Sequence, residues 1–312
     1  MKIVYDIDSL VSINKSVITV GTFDGFHLGH RKLFETIQNL AHEKNYESIV
    51  LTFKPHPRSV LSTENSIKLL TTFDEKLELM RDCLIDNLLV INFSKEFAMM
   101  PYEKFVEEIL VKRLNIGILV IGHDHKFGRD RLGDENRLRE MAEKFNFDIK
   151  IVEPVIINDD IISSTKIRLA LNSGNIKKAN HYMARQYSFI GNVVHGATRG
   201  RLLGFPTANI LLEDENKLIP QNGVYAVRCV IENSEYYGIM NIGFRPTFET
   251  GNNLVIEVHI FDFNADIYGK KISIHFIDRL RDERKFQSKE ELIYQIERDK
   301  KKAIQLIGNL IN

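Results

Sequence analysis

The fold of the N-terminal half is decided by the stretch Val17-Ile18-Thr19-Val20-Gly21-Thr22-Phe23-Asp24-Gly25-Phe26-His27-Leu28-Gly29-His30. Its first four residues are apolar and predict a buried strand, and residues 28–43 predict a helix with one apolar stripe. The glycines therefore lie at a strand-to-helix turn, where backbone N–H groups and the helix dipole favour a phosphate. His27 and His30 lie on one face of the first helical turn, which suits charge stabilisation on a reacting phosphate. A plain tight turn would use the same glycines.

Length and composition set the class of protein. The 312 residues are enough for two domains, and 44% hydrophobic residues allow a sizeable core. Lys+Arg and Asp+Glu each total 42, so the basic excess typical of nucleic-acid binders is missing and no such partner is expected. Cys83 and Cys229 stand apart in apolar contexts, which favours buried thiols in a reducing cytoplasm. The sequence start lacks a signal-peptide run, and no apolar run approaches a membrane span, so no membrane partner is expected.

The order of predicted elements indicates an α/β half followed by a β half. The predicted strands of the first half are 17–20, 48–53, 88–91, 116–121 and 148–152. The helices predicted between and after them are 28–43, 73–85, 102–113, 134–145 and 175–184. This alternation predicts a Rossmann-like parallel sheet with helices on both faces and ligands beyond the carboxyl ends of the strands. From residue 187 short strands follow one another, which predicts a small antiparallel barrel closed by a helix over 288–307. The predicted domains are 1–184 and 185–312.

Three further loops in the first half carry groups that suit a nucleotide or a flavin. Thr52-Phe53-Lys54-Pro55-His56-Pro57 follows a strand, and its prolines stiffen either a wall for a flat ring or a plain connector. Gly122-His123-Asp124-His125-Lys126-Phe127-Gly128 follows the strand 116–121, and its adjacent side chains are poorly placed to converge on one metal ion. Ile162-Ser163-Ser164-Thr165-Lys166-Ile167-Arg168 predicts either a capped helix or a second anion site made of hydroxyls and a guanidinium.

The main motif of the second half runs from Gly191 to Asn209. Its beginning nearly fits a Walker A loop, but Ala197 replaces the required lysine and no helix follows, so that interpretation is rejected. The next stretch is Arg199-Gly200-Arg201-Leu202-Leu203-Gly204-Phe205-Pro206-Thr207-Ala208-Asn209. Thr207 and Asn209 share one face of an extended segment, and their oxygens suit Mg²⁺ if nucleotide phosphates complete the site. An ordinary loop before a strand is the alternative.

These motifs together resemble one enzyme family. The turn at 21–30 is similar to the HxGH motif of nucleotidylyl transferases, and the stretches at 52–57, 122–128, 162–168 and 196–209 resemble the remaining motifs of bacterial bifunctional riboflavin kinase/FAD synthetases. Glu257 lies on the predicted strand Ile256-Glu257-Val258-His259-Ile260, on the face opposite the apolar residues. It stands where that family has the catalytic base of the kinase.

The resemblance implies specific roles in the adenylyltransferase half. His27 and His30 would be its catalytic residues. ATP would bind Gly21, Thr22, Phe23, Asp24, His27, His30, Ser163, Ser164, Thr165 and Arg168. The flavin would bind Phe53, Pro55, His56, Pro57, Asp124 and Phe127. His125 departs from the family pattern, in which an aromatic residue is common.

The resemblance also implies the roles of residues in the kinase half. ATP would bind Gly196, Gly200, Arg201, Gly204, Pro206, Thr207 and Asn209. Mg²⁺ would be held by Thr207 and Asn209, and riboflavin would contact Arg281 and Glu283.

The activity that the resemblance implies is ATP-dependent phosphorylation of riboflavin to FMN, then adenylylation of FMN to FAD with release of pyrophosphate. The expected protein is a cytoplasmic monomer or weak homo-oligomer that uses Mg²⁺. Two other functions stay open. One is a single-activity nucleotidylyl transferase, and the other is a non-catalytic flavin-binding regulatory protein with relic motifs.

Overall fold

A computed structural model describes residues 1–10, 14–61, 67–123, 135–195, 204–247 and 251–311. The chain divides into two compact units, Met1–Ser163 and Ser164–Asn312.

The first unit is built on a six-stranded parallel sheet in the order β1-β4-β3-β2-β5-β6. Its strands are β1 Lys2–Val4, β2 Ser16–Val20, β3 Glu47–Lys54, β4 Asn87–Asn92, β5 Ile116–Gly122 and β6 Asp148–Val152. The five predicted strands and the parallel sheet are confirmed. Strand β1 was not predicted, because three residues are too few to establish a period.

Helices cover both faces of this sheet, as predicted. They are α1 Leu28–Lys44, α2 Pro57–Leu61, α3 Phe73–Arg81, α4 Lys95–Ala98, α5 Tyr102–Lys104 continuing as Phe105–Arg113, and α6 Glu135–Phe145. The second part of α5 is wound more widely than an α-helix. Helix α3 ends before the predicted residue 85, because the N–H of Asp82 turns back to the carbonyl oxygen of Met80. A short hairpin, β7 Ile156–Ile157 and β8 Asp160–Ile161, closes the unit.

The continuous apolar run of β2 follows from burial on both faces of the sheet. Ile18 and Val20 belong to a core cluster shared with α5 and α6, whereas Val17 belongs to the opposite cluster with Phe34 and Ile37 of α1. A strand between two helical layers has no solvent face, so the alternation typical of half-exposed strands is absent.

The second unit is a closed antiparallel barrel in the order β10-β13-β12-β11-β14-β9. It begins with helices α7 Ser164–Asn172 and α8 Ile176–Met183. The strands are β9 Ser188–Val194, β10 Ala208–Leu212, β11 Gly223–Ile231, β12 Ser234–Thr247, β13 Gly251–Ile260 and β14 Lys271–Arg281, and helix α9 is Lys289–Ile311. The predicted barrel and C-terminal helix are confirmed. Strand β10 was not predicted as a strand of its own.

The helix α9 covers an outer face of the barrel. Ala303 and Ile307 pack with Val224, Ala226 and other buried side chains of the barrel strands. A capping box of Ser288 and Glu291 forms only in part at the start of α9. The hydroxyl of Ser288 accepts a hydrogen bond from the N–H of Glu291, but the Glu291 carboxylate accepts from the N–H of Gln287 and not from that of Ser288.

Helices α7 and α8 belong to the same compact unit as the barrel. The amide of Asn180 donates to the carbonyl oxygen of Phe276 and accepts from the N–H of Tyr187, over 2.9 Å and 2.7 Å. The compact units therefore divide at 163/164. The boundary between the two activities at 184/185 stays a prediction, since compactness does not say which helices each activity needs.

Candidate active sites

The glycine turn lies at the point of the first sheet where the order of the strands reverses. From β2 the chain proceeds to β3 on one side, and β5 returns to pair with β2 on the other side. Ligands of open parallel sheets bind beyond the carboxyl ends of the strands at such a switch point. The turn from Gly21 to His27 leaves β2 at this point, so the sheet topology places it where a nucleotide would bind.

The turn has an unusual backbone that its buried phenylalanines hold in place. Phe23, Gly25 and Phe26 have φ values of 50°, 83° and 36°. The rings of Phe23 and Phe26 are buried and meet Phe34 of α1 edge-on, with centroids 5.1 Å and 5.2 Å away. A Cβ atom at Gly25 would lie 2.7 Å from Leu70 Cδ1. These two phenylalanines therefore anchor the turn, and Phe23 has a structural role beside the predicted nucleotide contact.

Asp24, predicted to contact ATP, points into the protein. Its carboxylate is 3% exposed and accepts hydrogen bonds from the N–H groups of Leu70 and Thr71 and from the Thr71 hydroxyl. The Thr71 hydroxyl accepts in turn from the N–H of Gly25. In this structure Asp24 shapes the turn through these bonds.

The two histidines form a stacked pair at the start of α1. Their ring centroids are 3.7 Å apart and their planes are inclined by 20°. The pKa of His30 is well below its usual value. The main cause is burial of the ring, and the neighbouring His27 and Lys76 lower the pKa further. The buried Nδ1 of His30 has no hydrogen-bond partner among the described residues. Burial and these neighbouring positive charges favour the neutral ring of His30, which can donate or accept one hydrogen bond.

The predicted flavin loop follows β3 directly. Phe53 is half-buried and packs against Phe93 and Phe97, with ring centroids 5.5 Å and 6.0 Å away. The Lys54–Pro55 peptide is cis, and Pro57 opens helix α2, so the loop is shorter than the predicted extended segment. His56 Nδ1 accepts a hydrogen bond from the N–H of Arg58. The other two predicted flavin residues, Asp124 and Phe127, lie outside the described residues, as does His125.

The residues of the predicted second anion site fall where the sequence divides into the two compact units. Ser163 ends the first unit, while Ser164, Thr165 and Arg168 lie in the first turn and a half of α7 in the second. Arg168 is half-buried and Thr165 is exposed. The hydroxyls and the guanidinium thus occupy one helix start, as predicted. Their approach to the glycine turn stays a prediction.

In the barrel, the carboxylate of Glu257 stands in a row of polar side chains. Glu257 on β13 is directly opposite Asn209 of β10 and directly opposite Asn241 of β12. Opposed residues of antiparallel strands project from the same face, with Cβ atoms about 5 Å apart. The adjacent Ile256 and Val258 are buried, so Glu257 faces away from the barrel interior as predicted.

The segment before Asn209 is held against β13. The Nδ1–H of His259 donates to the carbonyl oxygen of Pro206 over 2.8 Å, and the ring of Phe205 meets His259 edge-on at 5.5 Å. Gly204 has φ 82°, and a Cβ atom there would meet nothing within 4 Å. Asn209 is therefore directly opposite Glu257, Pro206 is held at the neighbouring His259, and Thr207 lies between these two contacts in the chain. Gly196, Gly200 and Arg201 lie outside the described residues.

The two residues predicted to contact riboflavin differ in their surroundings. Arg281 donates from Nε to the buried carboxylate of Asp299 over 2.8 Å and thereby ties the barrel to α9. Glu283 is exposed, and its carboxylate lies so close to Gly243 that a Cβ atom there would overlap Oε1. Gly243 is two residues from Asn241 along β12, on the same face, so the structure brings Glu283 to the polar row and gives Arg281 a structural partner.

Comparison with known proteins accounts for both units. The family model for FAD synthetase matches residues 11–166, and the model for riboflavin kinase matches residues 183–307. A bifunctional riboflavin kinase/FMN adenylyltransferase of Buchnera aphidicola subsp. Acyrthosiphon pisum is 40% identical over 96% of each chain. The enzyme of the same description from Bacillus subtilis is 37% identical over 95% of this chain and 94% of its own.

The chain belongs to the bifunctional riboflavin kinase/FMN adenylyltransferase family.

The family membership supplies both activities. The chain phosphorylates riboflavin and adenylylates FMN, with riboflavin, FMN and ATP as substrates and FAD as the product. A crystal structure of a protein from Streptococcus pneumoniae, named macrolide-efflux protein, has a TM-score of 0.86 at 32% identity and covers 96% of this chain and 97% of that chain. The two chains therefore share their fold over nearly their whole length. Within the described part of the chain, no helix is long and apolar enough to cross a membrane.

Three residues of these sites had no role predicted from the sequence. Lys76 is buried below the glycine turn, Asn241 completes the row around Glu257, and His259 holds the segment before Asn209. His259 shared a predicted strand face with Glu257, which was a usable signal. Lys76 gave none, because a lysine on an amphipathic helix is ordinarily a solvated residue.

Proposed function

We propose that FMN adenylylation takes place at the glycine turn 21–30 and that riboflavin phosphorylation takes place at the polar row around Glu257. One observation supports the assignment most. The registers of β10, β12 and β13 place the carboxylate of Glu257 between Asn209 and Asn241, beside the segment that carries Thr207. A carboxylate flanked by neutral oxygen donors combines a proton acceptor with groups that suit a hard cation.

The chemistry of the donors fits Mg²⁺ in the kinase site. Thr207 and Asn209 offer hydroxyl and amide oxygens, the ligand type that Mg²⁺ prefers, and within the described ranges no cluster of three or more His, Cys, Asp or Glu side chains offers another metal site. When bound with ATP, Mg²⁺ would neutralise phosphate charge. We assign the two residues to that ion.

In the kinase reaction the 5′-hydroxyl of riboflavin attacks the γ-phosphorus of ATP. Glu257 accepts the hydroxyl proton, the new O–P bond forms and the bond to the ADP oxygen breaks. His259 fixes the Phe205–Pro206 segment through its bond to the Pro206 carbonyl oxygen, and so positions the residues after it.

In the adenylyltransferase reaction the FMN phosphate attacks the α-phosphorus of ATP and releases pyrophosphate. This nucleophile is already ionised near pH 7, so no general base is needed. His27, His30 and the N–H groups of the turn would donate to the transferring phosphoryl group. Ser164, Thr165 and Arg168 at the start of α7 would bind the leaving pyrophosphate.

We also propose the compartment, the oligomeric state and the partners of the protein. The thiols of Cys83 and Cys229 are both free, which agrees with a cytoplasmic enzyme. We propose a monomer or weak homo-oligomer whose partners are small molecules, with neither nucleic acid nor membrane among them. Light scattering after size-exclusion chromatography tests the oligomeric state.

The test of the two-site assignment measures both half-reactions in two variants. His30→Ala should abolish FAD formation from FMN and leave riboflavin phosphorylation intact, so that FMN accumulates. Glu257→Gln preserves size but cannot accept the proton, so it should slow phosphorylation by about 10²–10⁴-fold and still convert supplied FMN to FAD. Chromatography of the flavins gives all four rates.

Three outcomes would contradict the assignment. Loss of both reactions in either folded variant would mean a shared site. Unchanged riboflavin in the parent protein with ATP and Mg²⁺ would favour a flavin-binding protein with relic motifs, and FAD formation without phosphorylation would favour a single-activity nucleotidylyl transferase.

A further inference from the structure

Lys76 is a buried lysine below the adenylyl-transfer turn. It lies in the first turn of α3 and is 6% exposed. The capping box of Thr72 and Glu75 fixes the start of this helix, since each residue's side chain accepts from the backbone N–H of the other. A buried ammonium is costly unless it has good partners, so its contacts identify what it does.

The ammonium of Lys76 joins two loops of the proposed site. Nζ donates to the carbonyl oxygen of Thr22 over 3.1 Å and to the Thr52 hydroxyl over 2.9 Å. Thr22 belongs to the glycine turn, and Thr52 immediately precedes Phe53 of the flavin loop. The strands that carry these loops, β2 and β3, are neighbours with Val20 opposite Leu51. Lys76 therefore spans the carboxyl ends of two adjacent strands.

Asp24 completes a closed set of contacts around the turn. Its carboxylate holds the N–H groups of Leu70 and Thr71, and these residues lead into α3 and Lys76. Burial lowers the pKa of Lys76 to about 8, and the charge of Asp24 opposes that shift. The charge of Lys76 in turn helps to lower the pKa of His30. The lysine is thus linked to the turn, to the flavin loop and to a catalytic histidine.

We propose that Lys76 is a positioning residue for FMN adenylylation, which keeps the turn at Thr22 and the flavin loop at Thr52 in register so that the phosphate of FMN meets the α-phosphate of ATP. The inference rests on the proposed assignment of the glycine turn to adenylyl transfer. Misplacing reactants by about 1 Å can cost about 10²-fold in rate.

The decisive variant is Lys76→Met, which keeps the length of the side chain and removes its ammonium. The expected result is a kcat for FAD formation from FMN that is lower by about 10- to 100-fold, with a smaller change in KM for ATP. Riboflavin phosphorylation by the same protein should be unchanged. The matched control is Lys32→Met, because Lys32 also donates to a backbone oxygen, that of Glu153, but is only half-buried and makes this bond at the surface. It should leave both rates at the parent value.

The kcat of the folded variant separates positioning from a general loss of stability, since only a positioning role slows FAD formation in molecules that stay folded and still phosphorylate riboflavin. In folded Lys76→Met, titration of the His30 ring by NMR should also give a higher pKa than in the parent, because a neighbouring positive charge has been removed. That shift would show that the charge of Lys76 acts on the glycine turn in the parent protein. A parent-like kcat in folded Lys76→Met would overturn the proposal.

A second variant, Thr52→Val, tests the same contact without a buried charge change. It removes one acceptor of Lys76 and keeps the volume, so FAD formation should slow by a smaller factor, roughly 3- to 10-fold. In the double variant the two losses should not multiply if Lys76 acts through Thr52. If Lys76→Met fails to fold, the kcat of Thr52→Val for FAD formation decides the question. A parent-like kcat in Thr52→Val would then overturn the proposal.

His30→Ala measured alongside distinguishes the two possible failures. If His30→Ala still makes FAD at the parent rate, the assignment of the site is wrong. If His30→Ala loses FAD formation while Lys76→Met retains it, the assignment stands and only the role of Lys76 is wrong.

Discussion

At the residue scale, Arg168 tests the predicted second anion site. Arg168 lies about one turn inside α7, whose first turn presents backbone N–H groups. Arg168→Ala should weaken adenylyl transfer by about 1.5–3 kcal/mol, the typical value of a hydrogen bond to a charged group. FMN-to-FAD rates at saturating and subsaturating ATP measure the effect. Lys177→Ala, which removes an exposed ion pair with Asp278, should change neither rate. Equal rates in Arg168→Ala and the parent would contradict the role.

His275 gives the barrel a pH-dependent stability. Its pKa is lowered to about 4, mainly because the ring is buried and also because the positive charges of Arg228 and Arg185 lie nearby. Between that value and the usual 6.5 the unfolded chain binds more protons than the folded one, so the free energy of unfolding falls as the pH falls from 6.5 to 4. In His275→Gln this contribution is absent.

The measurement compares the parent with His275→Gln by urea unfolding, followed by circular dichroism and by loss of kinase activity. The parent should lose about 2 kcal/mol more than the variant between pH 7 and pH 4.5. The same pH slope in both proteins would show that His275 does not titrate abnormally.

At the element scale, the glycine turn depends on a residue without a side chain. Gly25 combines φ 83° with the close approach of Leu70, which is fully buried. Gly25→Ala should lower stability by more than the 1–2 kcal/mol of a left-handed alanine, because the buried Leu70 must also move. It should also slow FAD formation, since the turn carries His27 and His30.

Gly269→Ala is the matched control for this prediction. Gly269 has φ 76°, and a Cβ atom there would meet nothing within 4 Å. Its alanine variant therefore reports backbone strain alone, and it should lose about 1 kcal/mol with FAD formation unchanged. Urea unfolding and both half-reactions measure the pair. Equal losses in the two variants would mean that Leu70 accommodates the added methyl group.

At the scale of the whole molecule, the compact units predict which fragment folds by itself. Helix α8 buries Ile176, Ala179, Tyr182 and Met183. Its Asn180 also bonds to Phe276 and Tyr187 of the barrel half. A fragment of residues 164–312 should therefore fold and phosphorylate riboflavin. A fragment of residues 185–312 should keep the activity but be less stable by several kcal/mol, because each buried apolar side chain contributes about 1.5–3 kcal/mol.

Thermal unfolding of both fragments, followed by circular dichroism and by kinase assay, measures this difference. Equal melting temperatures would show that α7 and α8 contribute nothing to the barrel. An unfolded 164–312 fragment beside a folded full chain would contradict the independence of the second unit.

The sequence by itself determined the fold class, the order of elements and the family. Periodicity is a local property. The apolar run Val17–Val20 therefore predicted a buried strand, and the apolar stripe from residue 28 onward predicted the helix that follows it. The motifs predicted the two activities, because glycines, histidines and the Thr207–Asn209 pair stand at fixed spacings along the chain.

Only the tertiary structure decided which residues meet. The register between β10, β12 and β13 placed Asn241 beside Glu257, and no local pattern encodes register between distant strands. The same holds for Asp24 and Lys76. Asp24 was expected at ATP and nothing was predicted for Lys76, yet both are buried. Asp24 accepts hydrogen bonds from Leu70 and Thr71, 46 and 47 residues along the chain, and Lys76 donates to Thr22 and Thr52, 54 and 24 residues away. Burial of a charge depends on partners that folding alone brings together.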